Sequence, residues 1–393
     1  MRVLHLTNKP IFPLVDGGCV AMNQIAKLLL RQGFNVKNLS IATSKHPFDY
    51  NAFPSEFQDK CRPESVYLDT TVSALGAMKH LISGKSYNLS RFKDVTFEQA
   101  LVRILSETDF EMVLCESIYL LPYLEVIRKH SNAKIIVRTH NVEHSIWKRL
   151  ATQANPLKKW YLNQLSASLQ KEEVSLLKQV NAIFAISESD AMTFQQLGID
   201  TALSVLPVAI EPSEVIEQPK ACFHHLGSMN WAPNLEAVNH LLSTLFPAIR
   251  QQLPEAELHL AGSFFPSSIQ SNPQEGIVVH GFADDRIQFI SDYGIKLVPL
   301  KSGSGVRIKL LESLANGVPI VTTPIGAEGL ADGIEKALLI AENDAKFVSN
   351  AVELYKNAEL RKQIGTNAVT YIHENYSFES VNKLFIEFIQ SIS

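Results

Sequence analysis

The chain has few cysteines. Cys19, Cys61, Cys115 and Cys222 lie far apart, and none belongs to a C-x-x-C pair. That leaves no disulfide framework and predicts reduced, buried thiols of a cytosolic protein. Charge is also scarce, at 19% of residues with a net charge of −4, so no global positive field favours nucleic acid. No stretch approaches the roughly 18 continuous apolar residues of a membrane-spanning helix. The first residues read as a short strand followed at once by Lys9 and Pro10, not as a secretory leader. The Walker pattern G-x-x-x-x-G-K-[ST], a complete G-x-G-x-x-G and an Asp-x-Asp metal-diphosphate pair are all missing.

What is present is an apolar, globular chain of 393 residues with 46% hydrophobic content, long enough for two domains. Short apolar runs at 3–7, 36–41, 112–115, 134–139, 182–186 and 203–208 read as buried parallel strands, with helical spacing between most of them. The first opens a strand–loop–helix unit through Asp16-Gly17-Gly18. The segment 43–103 is irregular and carries Pro47, Pro54 and Pro63, then Lys79, His80, Lys85, Tyr87, Arg91, Phe92 and Lys93. Residues 210–220, with Pro212, Pro219 and three glutamates, read as a linker. The pattern then restarts, with strands expected at 222–226, 258–261, 277–280, 295–299, 319–322 and 338–340. Strands alternating with helices predict parallel sheets with right-handed crossovers. The fold class is therefore α/β, with an N-terminal Rossmann-like domain over 1–209 and a second over 221–376. A final helix within 377–393 follows the completed second sheet and is expected to return to the first domain.

One stretch is chemically distinctive: Lys301-Ser302-Gly303-Ser304-Gly305-Val306-Arg307-Ile308-Lys309-Leu310-Leu311-Glu312. It follows a strand and opens a predicted helix over 306–316. Gly303 and Gly305 permit positive φ and close approach of backbone to a ligand. A helix start attracts anions through its free N–H groups and dipole. Arg307 and Lys309 put cations where that dipole disfavours them, which makes sense if a phosphate lies between them. Glu312, three residues beyond Lys309, would accept hydrogen bonds from a ribose diol. A glycine-rich loop with a solvated Arg and Lys and a capping Glu remains the alternative.

The stretch 303–321 resembles the donor-site pattern of retaining glycosyltransferases of the GT-B fold, family four (the group-one type). So do its continuation through Gly326-Ala327-Glu328-Gly329, the segment Gly227-Ser228-Met229-Asn230-Trp231-Ala232-Pro233-Asn234, and Arg138-Thr139-His140-Asn141-Val142-Glu143. The likeness spans nearly the whole chain and is weakest over 44–110. It implies two Rossmann-like doubly wound domains facing a cleft, with the nucleotide on the second and the acceptor on the first. It also implies a nucleoside-diphosphate sugar as donor substrate and no cofactor. By the same likeness Glu312 binds ribose, Arg307 and Lys309 contact the diphosphate, and Gly227, Gly303, Ser304 and Gly305 belong to the same donor-binding site. Gly281 and Phe282 meet the base, Gly17 and Gly18 approach the phosphates and the sugar, and His140 lies near the transferred sugar.

Two features depart from that pattern. A Glu eight positions before the ribose glutamate is usual, yet 312 − 8 = 304 is Ser304, and no Arg-Lys pair follows the first strand of the second domain. Arg307 and Lys309 are inferred to supply that charge. The expected reaction is a metal-independent, hexosyltransferase-type transfer to a glycan, lipid-linked or small-molecule acceptor. His140 and His144 are four apart, but no third ligand accompanies them, so no metal site is expected. A nucleotide-sugar epimerase and a non-catalytic sugar-nucleotide-binding subunit remain as rivals, while the incomplete fingerprint disfavours a dehydrogenase. The expected location is the cytoplasm, with peripheral contact at the inner face of the membrane open. The basic-aromatic segments 79–93 and 147–160 suit either a membrane-facing or a solvated surface.

Overall fold

The computed structural model of the chain describes every residue except 74, 75, 77–79, 81–83, 153, 214–220, 271–274, 284, 304 and 393. It divides into two compact units, Met1–Ala209 with Asn382–Ser393, and Ile210–Val381. The second boundary falls a few residues beyond the expected 376, inside the last helix, Phe378–Ser391. The C-terminal part of that helix belongs to the first unit, where Phe385 and Phe388 meet Phe184 at ring distances of 5.6 and 4.9 Å.

Among the described residues the first unit holds seven parallel strands: β1 (Arg2–Thr7), β2 (Asn35–Ala42), β3 (Glu64–Tyr67), β4 (Met112–Glu116), β5 (Lys134–Arg138), β6 (Ala182–Ala185) and β7 (Ala202–Val205). Their order is β3-β2-β1-β4-β5-β6-β7. Val3 to Thr7 and all of β4 are buried, as strands covered by helices on both faces must be. The second unit holds β8 (Phe223–Leu226), β9 (Leu258–Ala261), β10 (Ile277–Gly281), β11 (Ile295–Val298), β12 (Ile320–Thr322) and β13 (Leu339–Ile340), in the order β10-β9-β8-β11-β12-β13. Both sheets reverse their direction of winding beside their first strand, between β1 and β4 and between β8 and β11. In such sheets ligands bind beyond the carboxyl ends of the strands at that point.

Local chemistry sets the elements that follow those ends. Asp16 caps the helix Gly17–Arg31 by accepting from the Cys19 N–H, and Gly33, at φ +70°, ends it. Pro156 opens the helix Pro156–Leu177, with Asn155 as its cap. The helix Ile308–Ala315 starts two residues later than the spacing predicted. Gly305 at φ +78° and Arg307 at ψ 87° keep the chain out of helical geometry up to that point. Among its described residues the irregular segment 43–103 has one strand, β3, and the helices Ser55–Cys61, Tyr87–Ser90 and the start of Val95–Glu107.

In the second unit the carboxyl ends of β8 and β9 meet at two glycines. The Gly262 N–H donates to the Gly281 carbonyl at 2.7 Å, and Gly262 has φ +143°. A Cβ at Gly262 would overlap the Gly227 carbonyl oxygen, whereas one at Gly281, also at positive φ (+74°), would meet nothing. Gly262→Ala therefore combines strain with a backbone clash and is expected to cost about 3 kcal/mol or more, roughly 10 °C in Tm. Gly281→Ala carries strain alone, about 1 kcal/mol. Thermal unfolding of the two variants side by side checks this ranking, and equal losses would contradict it.

Candidate functional site

In the second unit the loop between β11 and the helix Ile308–Ala315 gathers the distinctive residues. Gly303 (φ +113°) packs so closely that a Cβ there would stand 3.1 Å from Trp231 and 3.2 Å from an Arg307 Nη atom. The Arg307 guanidinium lies over the Trp231 ring, 5.7 Å from its centroid. It also donates to the Gly305 carbonyl and, at 3.4 Å, to that of Ile325. Arg307 is the N-cap residue of the helix, which has no side-chain cap bond, so its first N–H groups are left to backbone turns or a ligand. Trp231 comes from the loop after β8, the place where the family pattern has its cations. An aromatic side chain there steadies a cation contributed by a different loop.

One turn along, Glu312 forms an ion pair with Arg286 at 3.6 Å. Arg286 begins the helix Arg286–Asp292 beyond β10. Lys309 titrates below an ordinary lysine, chiefly because burial disfavours its charge and then because Arg286 lies near, with Glu312 working against both. Beneath them Lys296, buried in β11, donates to the Lys309 carbonyl at 2.9 Å and to Ser313 Oγ at 2.6 Å. It anchors the first turn from below. The structure thus groups Trp231, Gly303, Gly305 and Arg307, and next to them Arg286, Lys309 and Glu312. Gly281 ends β10, and Phe282 follows it with 71% of its surface exposed. Gly227 lies at the end of β8 against Asn234 and Gly262. Ser304 lies outside the described residues.

In the first unit the carboxyl ends of β1, β2, β4 and β5 carry a second group. Gly17 and Gly18 begin the helix Gly17–Arg31, and Gly18 is close enough to Lys9 that a Cβ would stand 2.6 Å from its Nζ. Lys9 pairs with Asp16 at 2.7 Å, and His46 bonds the same carboxylate at 3.0 Å. Burial would raise the Asp16 pKa, but Lys9 and the Cys19 N–H outweigh it and hold Asp16 well below the usual carboxylate range. His140 stands just past the end of β5, with Nε2 at 2.6 Å from Glu116 Oε2. Its pKa is lowered, mainly by burial, although the bond to Glu116 acts in the other direction. Beyond it Glu143 is pushed up to about 7 by burial, and Tyr119 Oη donates to it at 2.8 Å. His144 instead turns to the buried Glu173 at 2.6 Å. Its ring therefore does not pair with that of His140. No group of three or more metal-ligating side chains occurs among the described residues.

Residues 221–357 match the family described as Glycosyl transferases group 1. The second unit carries a group 1 glycosyl transferase domain. Over the whole chain the fold is GT-B. Sucrose-phosphate synthase of Thermosynechococcus elongatus superposes with a TM-score of 0.71 at 11% identity, covering 100% of this chain and 99% of that one. Anabaena HepE in complex with UDP and glucose superposes with a TM-score of 0.64 at 13% identity, covering 100% of both chains. An uncharacterized 44.6 kDa protein in the cps region of Klebsiella pneumoniae is 25% identical over 290 residues, 69% of this chain and 72% of that protein. In the group 1 domain the loop after β8 and the helix Ile308–Ala315 are the elements that carry Trp231, Arg307, Lys309 and Glu312. Arg286 and Trp231, along with Lys9 and Glu116 in the first unit, were not read from the sequence as site residues.

Lys296 gives this site a signature in its stability. Burial pushes its pKa down to about 7, against 10.5 for a free lysine. Between those two values the unfolded chain binds the extra proton, so wild-type stability rises with pH over that window. Relative to Lys296→Met, the wild type is expected to gain up to about 1.4 kcal/mol per pH unit between roughly pH 7 and 10. Urea unfolding at pH 7 and pH 9 measures this, and a constant difference between the two proteins would contradict it.

Proposed function

We propose that the protein is a retaining glycosyltransferase that moves a hexose from a nucleoside-diphosphate sugar to a carbohydrate or lipid-linked acceptor. One observation carries the reading: within a group 1 domain, Arg307 and Lys309 stand at a helix start that electrostatics would otherwise keep free of cations, one turn from Glu312. A diphosphate resolves that conflict, and Glu312 would accept hydrogen bonds from the attached ribose once Arg286 is shared with the phosphates. The UDP held by the similar HepE is consistent with this class of donor.

In the proposed reaction the bond between the anomeric carbon and the diphosphate oxygen breaks. The growing charge on the leaving group is held by Arg307, Lys309 and backbone N–H groups, an electrostatic contribution that is usually large. The acceptor hydroxyl oxygen bonds to the anomeric carbon on the face the diphosphate vacates, and its proton passes to the departing diphosphate. The Gly17-Gly18 turn and His140 are assigned to the transferred sugar. With protein cations on the diphosphate, transfer is expected to need neither a metal nor another cofactor. The assigned location is the cytoplasm, where activated sugars are the donor supply.

A specific observation supports contact with an anionic membrane surface. At the tip formed by the helices Glu143–Thr152 and Pro156–Leu177, Leu157 is 80% and Trp160 53% exposed, beside the cations Lys148, Lys158 and Lys159. Exposed apolar and aromatic groups among lysines suit a headgroup layer. Among the described residues no helix is long and apolar enough to cross a membrane.

Arg307→Ala is expected to lower transfer by about 10²- to 10³-fold, with activity unchanged by a chelator, when donor consumption is followed with a panel of uridine and guanosine diphosphate sugars. Wild-type turnover in that variant would reject the assignment, and loss of turnover in chelator would reject metal independence. Co-sedimentation with vesicles containing anionic phospholipid should fall several-fold in a Leu157→Glu, Trp160→Ser double variant. Equal sedimentation of the two proteins would remove the membrane contact.

A further inference from the structure

Glu116 is the last residue of β4 and its side chain is fully buried. A buried carboxylate is costly unless its oxygens are paired. Here Oε2 receives His140 Nε2 at 2.6 Å and Arg138 Nη1 at 3.4 Å, while Oε1 receives His5 Nε2 at 3.4 Å. The Arg138 fork is fixed in turn by the carbonyls of Leu206, Pro207 and Ala21 at 3.3 to 3.4 Å. Side chains from β1, from β5 and from just past β5 thus hold one carboxylate in place, and that carboxylate touches the residue assigned to the transferred sugar.

The charge count narrows what His140 can be. Glu116 is already balanced by Arg138, which shares its buried surroundings. An imidazolium at His140 would add a second positive charge there, with Lys9 also near, and burial opposes it further. Burial would raise the Glu116 pKa, but the Arg138 charge and the bonds from His140 and His5 overcome it and keep the carboxylate ionised. An ionised carboxylate can only accept, so the proton between the two groups sits on His140 Nε2. The neutral ring then carries its lone pair on Nδ1, and no described residue donates to that atom. The ring keeps 15% of its side-chain surface exposed.

We propose that Glu116 is a positioning residue that fixes His140 as the Nε2–H tautomer, so that Nδ1 is offered as a hydrogen-bond acceptor to a hydroxyl of the transferred sugar or the acceptor. The inference about the tautomer stands on the first unit alone. Its use in transfer rests on the function proposed above. A carboxylate that orients an imidazole through one nitrogen and leaves the other for chemistry is an arrangement whose disruption is severe when the tautomer inverts. Glu116→Leu removes that acceptor and frees the tautomer. Glu116→Gln should keep it, because Arg138 and His140 share one oxygen of the carboxylate: the amide oxygen takes that place, and the amide N–H₂ turns to His5.

The test uses the full chain with ¹⁵N-labelled histidine, His140 being assigned by difference from a His140→Gln variant. Nitrogen chemical shifts at pH 7.5 are expected to show a neutral Nε2–H ring in the wild type and in Glu116→Gln, and a mixture of the two neutral tautomers in Glu116→Leu. In parallel, Glu116→Leu should lose roughly 10²-fold in kcat while KM for the sugar nucleotide stays within about threefold, and Glu116→Gln should keep most of the wild-type kcat. An Nδ1–H or cationic His140 in the wild type overturns the proposal, and this holds even if the variant does not fold. A Glu116→Leu protein that loses the single tautomer yet keeps wild-type kcat overturns the catalytic use. Should no sugar nucleotide bind the wild type, the proposed function fails, while the spectra still decide the tautomer.

Discussion

A helix that begins with its own partial positive charge does not favour arginine at its first position and lysine two residues later. The helix Ile308–Ala315 has both, and much of the second unit is arranged around them. Gly303 and Gly305 take left-handed conformations that bring the loop back beneath the Arg307 side chain, and Trp231 gives its guanidinium a face to lie on. Arg286 reaches Glu312 from across the sheet edge, while Lys296 ties the first turn down through the Lys309 carbonyl. Arg286, Arg307 and Lys309 thus share this end of the unit with the single carboxylate of Glu312, an excess of positive charge. That cost is understandable only if an anion offsets it, and the glycosyl transferase domain supplies the reason to expect a sugar nucleotide.

The first unit works by a different principle. Its charges at the strand ends come in paired groups: Lys9 with Asp16 and Arg138 with Glu116. What the groups achieve is orientation, because a side chain held by two or three partners in a buried setting has few ways to turn. A neutral imidazole past β5 suits the hydroxyls of a sugar better than its phosphates.

The sheets were largely legible from the sequence because their central strands are short, continuous apolar runs. Buried parallel strands leave no alternative pattern. β3 was not legible: Glu64–Tyr67 is only partly buried, follows Pro63 and forms a sheet edge, so its residues carry no hydrophobic signal. The helix Val95–Glu107 was there to be read, with Asp94 as its cap and Phe97, Leu101, Ile104 and Leu105 along one face, but the prolines and basic residues before it obscured the pattern. Of the site, the residues within one contiguous stretch could be found from spacing. Glu116 meets His140 across 24 residues, and Arg286 meets Glu312 across 312 − 286 = 26. Pairings of that kind depend on which strands become neighbours, and sequence spacing does not encode it.

The claim on which the account rests is that residues around 301–312 receive the diphosphate of a sugar nucleotide. Hydrogen–deuterium exchange of the whole chain, with and without saturating uridine or guanosine diphosphate, tests it at the level of single segments. The account predicts slowed exchange in the peptides covering 301–312 and 227–231 with one of these nucleotides. Protection confined to other segments, or none with either nucleotide, would contradict it.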